Sequence, residues 1–175
     1  NVGDSRAILV RSGTDGTIKT EPMSFDHKPS MEGEEDRIEK AGLTVFKGKK
    51  DADGNFVEAA NWKVMKSEEE QLSMSRAFGD FLYKNSSVEG KKLALWDQAV
   101  ISKPTIKSVA RSERDKWLVL ACDGIWDVMS NEDCGAFVDA KYDEICADKD
   151  FGDLAVGQVL AKVCDELCQE CLRRG

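Results

Sequence analysis

The stretch "LVLACDGIWDVMS", Leu118 to Ser130, constrains the chain most. Four apolar residues in a row, bounded by a turn, mark a strand buried in a well-covered sheet, so other elements must supply its cover. The run then breaks on Asp123 and Gly124, with Asp127 four residues further on. A carboxylate at the tip of a buried strand is costly unless it is solvated, hydrogen-bonded or bound to a cation, and only the last option makes it functional. With 175 residues, 41% of them hydrophobic, and four Trp, the chain is long enough for one domain with its own core.

Elements that could cover such a strand follow from the pattern. Residues 6 to 10 and 17 to 20 flank the turn-rich Gly13-Thr14-Asp15-Gly16 and predict a hairpin. Ser30 to Ala41 reads as a helix with Glu32, Glu34 and Glu35 near its positive end and Gly42 to stop it. Residues 47 to 71 are charged and poorly periodic, which predicts a long exposed excursion with a turn at Asp53-Gly54-Asn55. The same acids mimic a calcium loop, but Phe56 stands where a Gly is needed and Trp62 where a Glu should close the site. Strands are expected over 101 to 110 and 116 to 122. Ser130-Asn131-Glu132-Asp133 offers a capping box for a helix carrying Cys134, Phe137, Val138, Tyr142 and Ile145. A wide stripe, Val156, Val159, Leu160, Val163, Cys164, Leu167, Cys168 and Cys171, predicts a second helix paired with it against the sheet.

Charge and cysteine usage exclude several functions. A net charge of −8 argues against a nucleic-acid partner, which needs clustered Lys and Arg to displace counterions. No apolar run approaches the roughly 20 residues that cross a bilayer, and the last two helices are acidic on their polar faces, so no membrane association is expected. The six Cys read as small core hydrophobes with free thiols in a reducing compartment. Cys164, Cys168 and Cys171 share a helical face, but no further ligand stands nearby to complete a zinc site. The expected location is intracellular, cytoplasmic or nuclear.

Three carboxylates, Asp4 in "NVGDSRA" and Asp123 and Asp127 in "ACDGIWD", follow or close an apolar element beside a glycine. Oxygen-only clusters suit hard cations such as magnesium or manganese, although any one of these acids alone reads first as an Asx turn or helix cap. The only histidine, His27, reads as an anchor of its turn rather than a general acid, and no Ser-His-Asp or Cys-His set can be assembled around it. Arg76 and Asp80 in "LSMSRAFGD" are four apart, which reads as a same-face ion pair if the segment is helical, ahead of direct substrate contact.

In register, "NVGDSRA", "FDHKPS" with "RIEKAG", "LSMSRAFGD", "KPTI" and "LACDGIWDVMSNED" strongly resemble the metal-dependent serine/threonine phosphatases of the PPM family, protein phosphatase 2C, across nearly the whole chain. The resemblance implies an α+β fold, a β-sandwich of antiparallel sheets flanked by helix pairs. The resemblance also implies that residues 1–175 are the C-terminal part of the catalytic domain, without the family's N-terminal metal- and phosphate-binding segment or its final Asp-Asn motif.

That resemblance further implies hydrolysis of phosphoserine and phosphothreonine in proteins. Two core Mg²⁺ or Mn²⁺ ions would hold a water, lower its pKa and aim it at phosphorus. Asp123 matches the core metal ligand, counted as catalytic. Asp4 matches the acid that holds a weaker third ion with Asp123 and Asp127. Residues 47 to 71 correspond to the flap linked to substrate choice, with Arg76 and Asp80 bracing its base. The expected protein is a monomer acting on phosphoproteins, and the fragment alone is inactive. A catalytically inactive pseudophosphatase serving as a regulatory binding module is the alternative.

Overall fold

The computed structural model describes residues 1–48, 62–148 and 154–175. In chain order the elements are β1 (Arg6–Ser12), β2 (Ile18–Pro22), α1 (Glu34–Lys40), β3 (Thr44–Phe46), β4 (Lys63–Met65), β5 (Gln71–Leu72), a 3-10 helix (Phe81–Tyr83), β6 (Ser87–Val88), β7 (Lys91–Lys92), β8 (Asp115–Ala121), α2 (Asp123–Trp126), α3 (Asn131–Ala147) and α4 (Val156–Arg174). Every pairing within the sheets is antiparallel. The chain divides into two compact units, Asn1–Asp4 with Phe25–Ile106, and Ser5–Ser24 with Lys107–Gly175.

The second unit is built on a sheet of order β2-β1-β8. The expected hairpin forms: Gly13 N–H donates to Thr17 O at 2.6 Å, and the Asp15 carboxylate accepts from the Thr17 amide and hydroxyl. Ile8 opposes Val119 and Val10 opposes Trp117, so these side chains share one face. Helices α3 and α4 cover that face, burying Met129, Cys134, Val138, Val163 and Leu167 with Ile8 and Val10 in one core. Ser130 caps α3 as expected, accepting from Asp133 N–H at 3.0 Å. Gly135 lets α3 close on the sheet, because a Cβ there would overlap Thr20 Cγ2 and come within 3.3 Å of Val10 Cγ2. Trp117 Nε1 donates to Asp139 Oδ1 at 2.8 Å, tying the strand to the helix.

Several expectations need correction here. Within residues 1–175, Leu118 of strand β8 is 60% and Leu120 70% exposed, while Trp117, Val119 and Ala121 pack inward. A continuous apolar run hides this alternation, since periodicity is visible only when the outer face is polar. The stripe on α4 is narrower than read, with Val159, Val163, Leu167 and Cys171 buried and Val156 and Leu160 exposed. All six cysteines are free, but only Cys134 and Cys171 are buried; Cys122, Cys146, Cys164 and Cys168 are exposed and fill no core.

The first unit carries a sheet of order β3-β4-β5 and the small β6-β7 hairpin, around a core of Ile38, Ala41, Val64, Ala77, Tyr83, Ala99 and Val100. Helix α1 starts at Glu34 rather than Ser30, because Gly33 stands in the left-handed region at φ 78°, and it stops at Gly42 at φ 83°. The strand expected over 101 to 110 does not form; Ile101 makes a single parallel bridge to Arg76, and Pro104 brings no N–H to extend it. Nor is 72 to 80 a helix. Asp80 lies at φ 57° before the 3-10 helix, and Arg76 pairs with Glu34 rather than Asp80. Strands β4 and β5 fall inside the charged excursion, whereas the turn at Asp53-Gly54-Asn55, the failed calcium loop and most of the flap lie outside the described residues.

Candidate metal centre

Strand β8 and the turn after it explain how two acids come to stand together in the second unit. Trp126 Nε1 donates back to Ala121 O at 2.8 Å, and Ile125 and Trp126 are buried in the core beneath α2. Asp127 N–H closes the turn on Asp123 O at 2.8 Å. With the two central residues drawn inward, Asp123 and Asp127, one helical turn apart, fall on the same side. Both are exposed, so Asp123 is a solvated carboxylate rather than a buried one. Asp123 is the first residue of α2 and its side chain caps nothing; Cys122 holds the N-cap position, also without a side-chain bond. Among the described residues neither carboxylate takes up a side-chain hydrogen bond or ion pair.

Asp4 belongs to the first unit and stands in a different environment. It is 7% exposed, and Lys28 Nζ lies 2.6 Å from its Oδ2. The turn that presents it needs glycine, since Gly3 has φ 103°. His27, expected to anchor its own turn, holds this one instead, through partners remote in sequence. Gly3 N–H donates to His27 Nδ1 at 3.2 Å, the His27 amide donates to Gly3 O at 3.0 Å, and Nε2 stands 2.8 Å from Thr105 Oγ1.

Behind this turn lies a buried ion network that sequence reasoning missed. Glu34, 2% exposed, accepts from Arg76 Nη2 and Arg37 Nη1, each at 2.7 Å, and from Ser75 Oγ at 2.5 Å. Burial pushes the Glu34 carboxyl up, but the hydrogen bonds from Arg76, Arg37 and Ser75 outweigh it and hold it at about 2. Arg37 also donates to Gln98 O, Ser75 O and Ala99 O, and Arg76 to Lys103 O, so one carboxylate organises the loops around it. Glu34 was visible only as one of several acids at a helix start, a pattern that serves the helix dipole equally well.

The donor set fits a hard divalent cation in kind: all three candidates are carboxylates, and Mg²⁺ is typically held through one or two carboxylates while keeping several waters. Among the described residues, no three His, Cys, Asp or Glu side chains gather as a ready-made metal cluster. Asp4 already carries a positive group, the Lys28 ammonium.

The family model for Protein phosphatase 2C matches residues 1–175. This chain belongs to the protein phosphatase 2C family. It is 36% identical over 172 residues to Protein phosphatase ppm-1.G of Caenorhabditis elegans, covering 98% of this chain and 27% of that protein. It is also 36% identical over 176 residues to Protein phosphatase 1A of Homo sapiens, covering all of this chain and 36% of that protein. The fold matches the serine-threonine phosphatase 2C of Toxoplasma gondii with a TM-score of 0.61 at 23% identity, over 97% of this chain and 48% of that one. A second Toxoplasma gondii phosphatase gives 0.61 at 27%, over 97% and 42%. The chain thus spans about a third of the length of the curated relatives it matches. Among the described residues, no helix is long and apolar enough to cross a membrane.

Proposed function

We propose that this chain is part of a catalytic domain that hydrolyses phosphoserine and phosphothreonine in proteins with the help of Mg²⁺ or Mn²⁺. The observation that carries the reading is the pair Asp123 and Asp127, held on one side of α2 by a buried Trp126 and, among the described residues, taken up by no side-chain partner. Two exposed like charges one turn apart repel each other, and a divalent cation relieves that repulsion. Asp123 serves as the core metal ligand. Asp4 serves as a ligand of a third, weaker ion, where the cation competes with Lys28 for the carboxylate.

Bound there, the ions supply the Lewis-acid charge and the acidified water needed for attack on phosphorus. The chain's own work is positioning. Strand β8 and the Trp126–Ala121 bond fix where Asp123 stands, and the Gly3 turn fixes where Asp4 stands. The remaining ligands and the phosphate-binding groups belong to the rest of the catalytic domain, so residues 1–175 alone are inactive. The test is turnover of a phosphothreonine peptide by the complete catalytic domain carrying this sequence. Activity that EDTA abolishes and Mn²⁺ restores supports the reading, and activity indifferent to EDTA overturns it.

A further inference from the structure

His27 is fully buried, and both of its ring nitrogens are committed. The Gly3 amide donates to Nδ1 while the His27 amide donates to the Gly3 carbonyl, so this one residue grips both backbone polar groups of the residue before Asp4. Nδ1 stands 3.2 Å from both the amide nitrogen and the carbonyl oxygen of Gly3, so in either tautomer it meets a Gly3 backbone group, while Nε2 faces Thr105 Oγ1 at 2.8 Å. Thr105 Oγ1 also accepts from Arg76 Nη1 at 3.4 Å, and Arg76 is locked onto buried Glu34. A continuous chain of polar contacts therefore runs from the Glu34 network through Arg76, Thr105 and His27 to Gly3. Gly3 itself holds a φ of 103°, a conformation that other residues seldom adopt, at the one peptide that aims Asp4.

We propose that His27 is a positioning residue for Asp4: its imidazole, braced on Thr105, fixes the Gly3 turn and so the direction from which the Asp4 carboxylate meets a divalent cation. The inference rests on the reading of Asp4 as a metal ligand. Burial, and after it the Arg76 guanidinium, lower the His27 pKa against the opposing pull of Glu34 and the Gly3 backbone, in keeping with a ring that stays neutral. A side chain that merely filled the core would need no particular nitrogen at either place.

That difference gives an atom-specific test in the complete catalytic domain. His27→Asn places an amide oxygen near the position of Nδ1 and keeps the grip on Gly3, whereas His27→Gln reaches toward Thr105 and loses that grip. Mn²⁺ titration, followed by electron paramagnetic resonance, reads the weaker metal equivalent directly, alongside kcat and KM and the melting temperature. His27→Gln is expected to weaken that equivalent and lower kcat by about 10- to 100-fold with KM little changed, the usual cost of removing a group that orients a ligand. His27→Asn is expected to stay close to the parent in both, although both variants melt lower. Equal losses in the two variants, or no loss in either, overturn the inference. If His27→Gln does not fold, His27→Asn decides alone: retention of the weaker equivalent supports the inference and a tenfold loss sinks it. Asp4→Asn is the control. If it leaves the weaker equivalent intact, the metal-ligand reading of Asp4 falls first and takes this inference with it; if it abolishes that equivalent while the His27 variants behave alike, only the positioning role falls.

Discussion

Single side chains in this molecule do sharply different work despite similar sequence surroundings. Asp4 and Glu34 are both buried acids with cationic partners, yet Glu34 is enclosed by two arginines and a hydroxyl while Asp4 has one lysine. Glu34→Gln removes the charge that Arg37 and Arg76 share, and breaking a buried pair this way costs about 3–5 kcal/mol, measurable by urea denaturation. The sign with pH is fixed by the folded value of about 2 against the ordinary 4.5. The stabilisation is complete above pH 4.5 and is lost as the pH falls toward 2, so the parent loses stability across that window and the Gln variant loses less. Asp4→Ala should act on chemistry instead: the core metals remain bound, turnover falls by roughly 10²-fold, and added Mn²⁺ does not restore it. Loss of two tight metal equivalents on calorimetric titration would instead place Asp4 in the core site.

Among the elements, those with a strong local signal were legible in the sequence and those without one were not. The β1-β2 hairpin, the Ser130 cap and the α3-α4 pair were readable because Gly-rich turns, a capping hydroxyl and 3.6-residue spacing are local properties. Strand β8 was found, but its exposed outer face was not, since Leu118 and Leu120 are as apolar as their inward neighbours. The alternation over 101 to 110 suggested a strand, but Ile101 only bridges Arg76 and Thr105 only exchanges backbone hydrogen bonds with Asn1, because pairing is decided by partners remote in sequence. Close packing of α3 on the sheet was equally invisible, as a glycine inside a helix looks like a weakness. Gly135→Ala tests its role: the added methyl meets Thr20 and Val10, and the cost should be about 1–3 kcal/mol by thermal or urea unfolding. A neutral or stabilising result, as helix propensity alone predicts, would mean that α3 does not need that approach.

At the scale of the whole molecule, the candidate acids were legible as types, and what surrounds them was not. Asp4, Asp123 and Asp127 could be picked out by their glycines and apolar flanks, but the sequence did not reveal that Lys28 sits on Asp4 or that Asp123 and Asp127 have no side-chain partner among the described residues. Those contacts depend on chain segments meeting across tens of residues, and they decide which acid is free to take a cation. Hydrolysis is proposed to depend on the carboxylate at the end of β8 as a metal ligand. The most direct measurement is the Mn²⁺ dependence of kcat for Asp123→Ala in the complete catalytic domain, using a phosphothreonine peptide and with folding checked by circular dichroism. The expected result is a folded protein whose turnover is abolished at every Mn²⁺ concentration. Turnover equal to the parent's at saturating Mn²⁺ would contradict it.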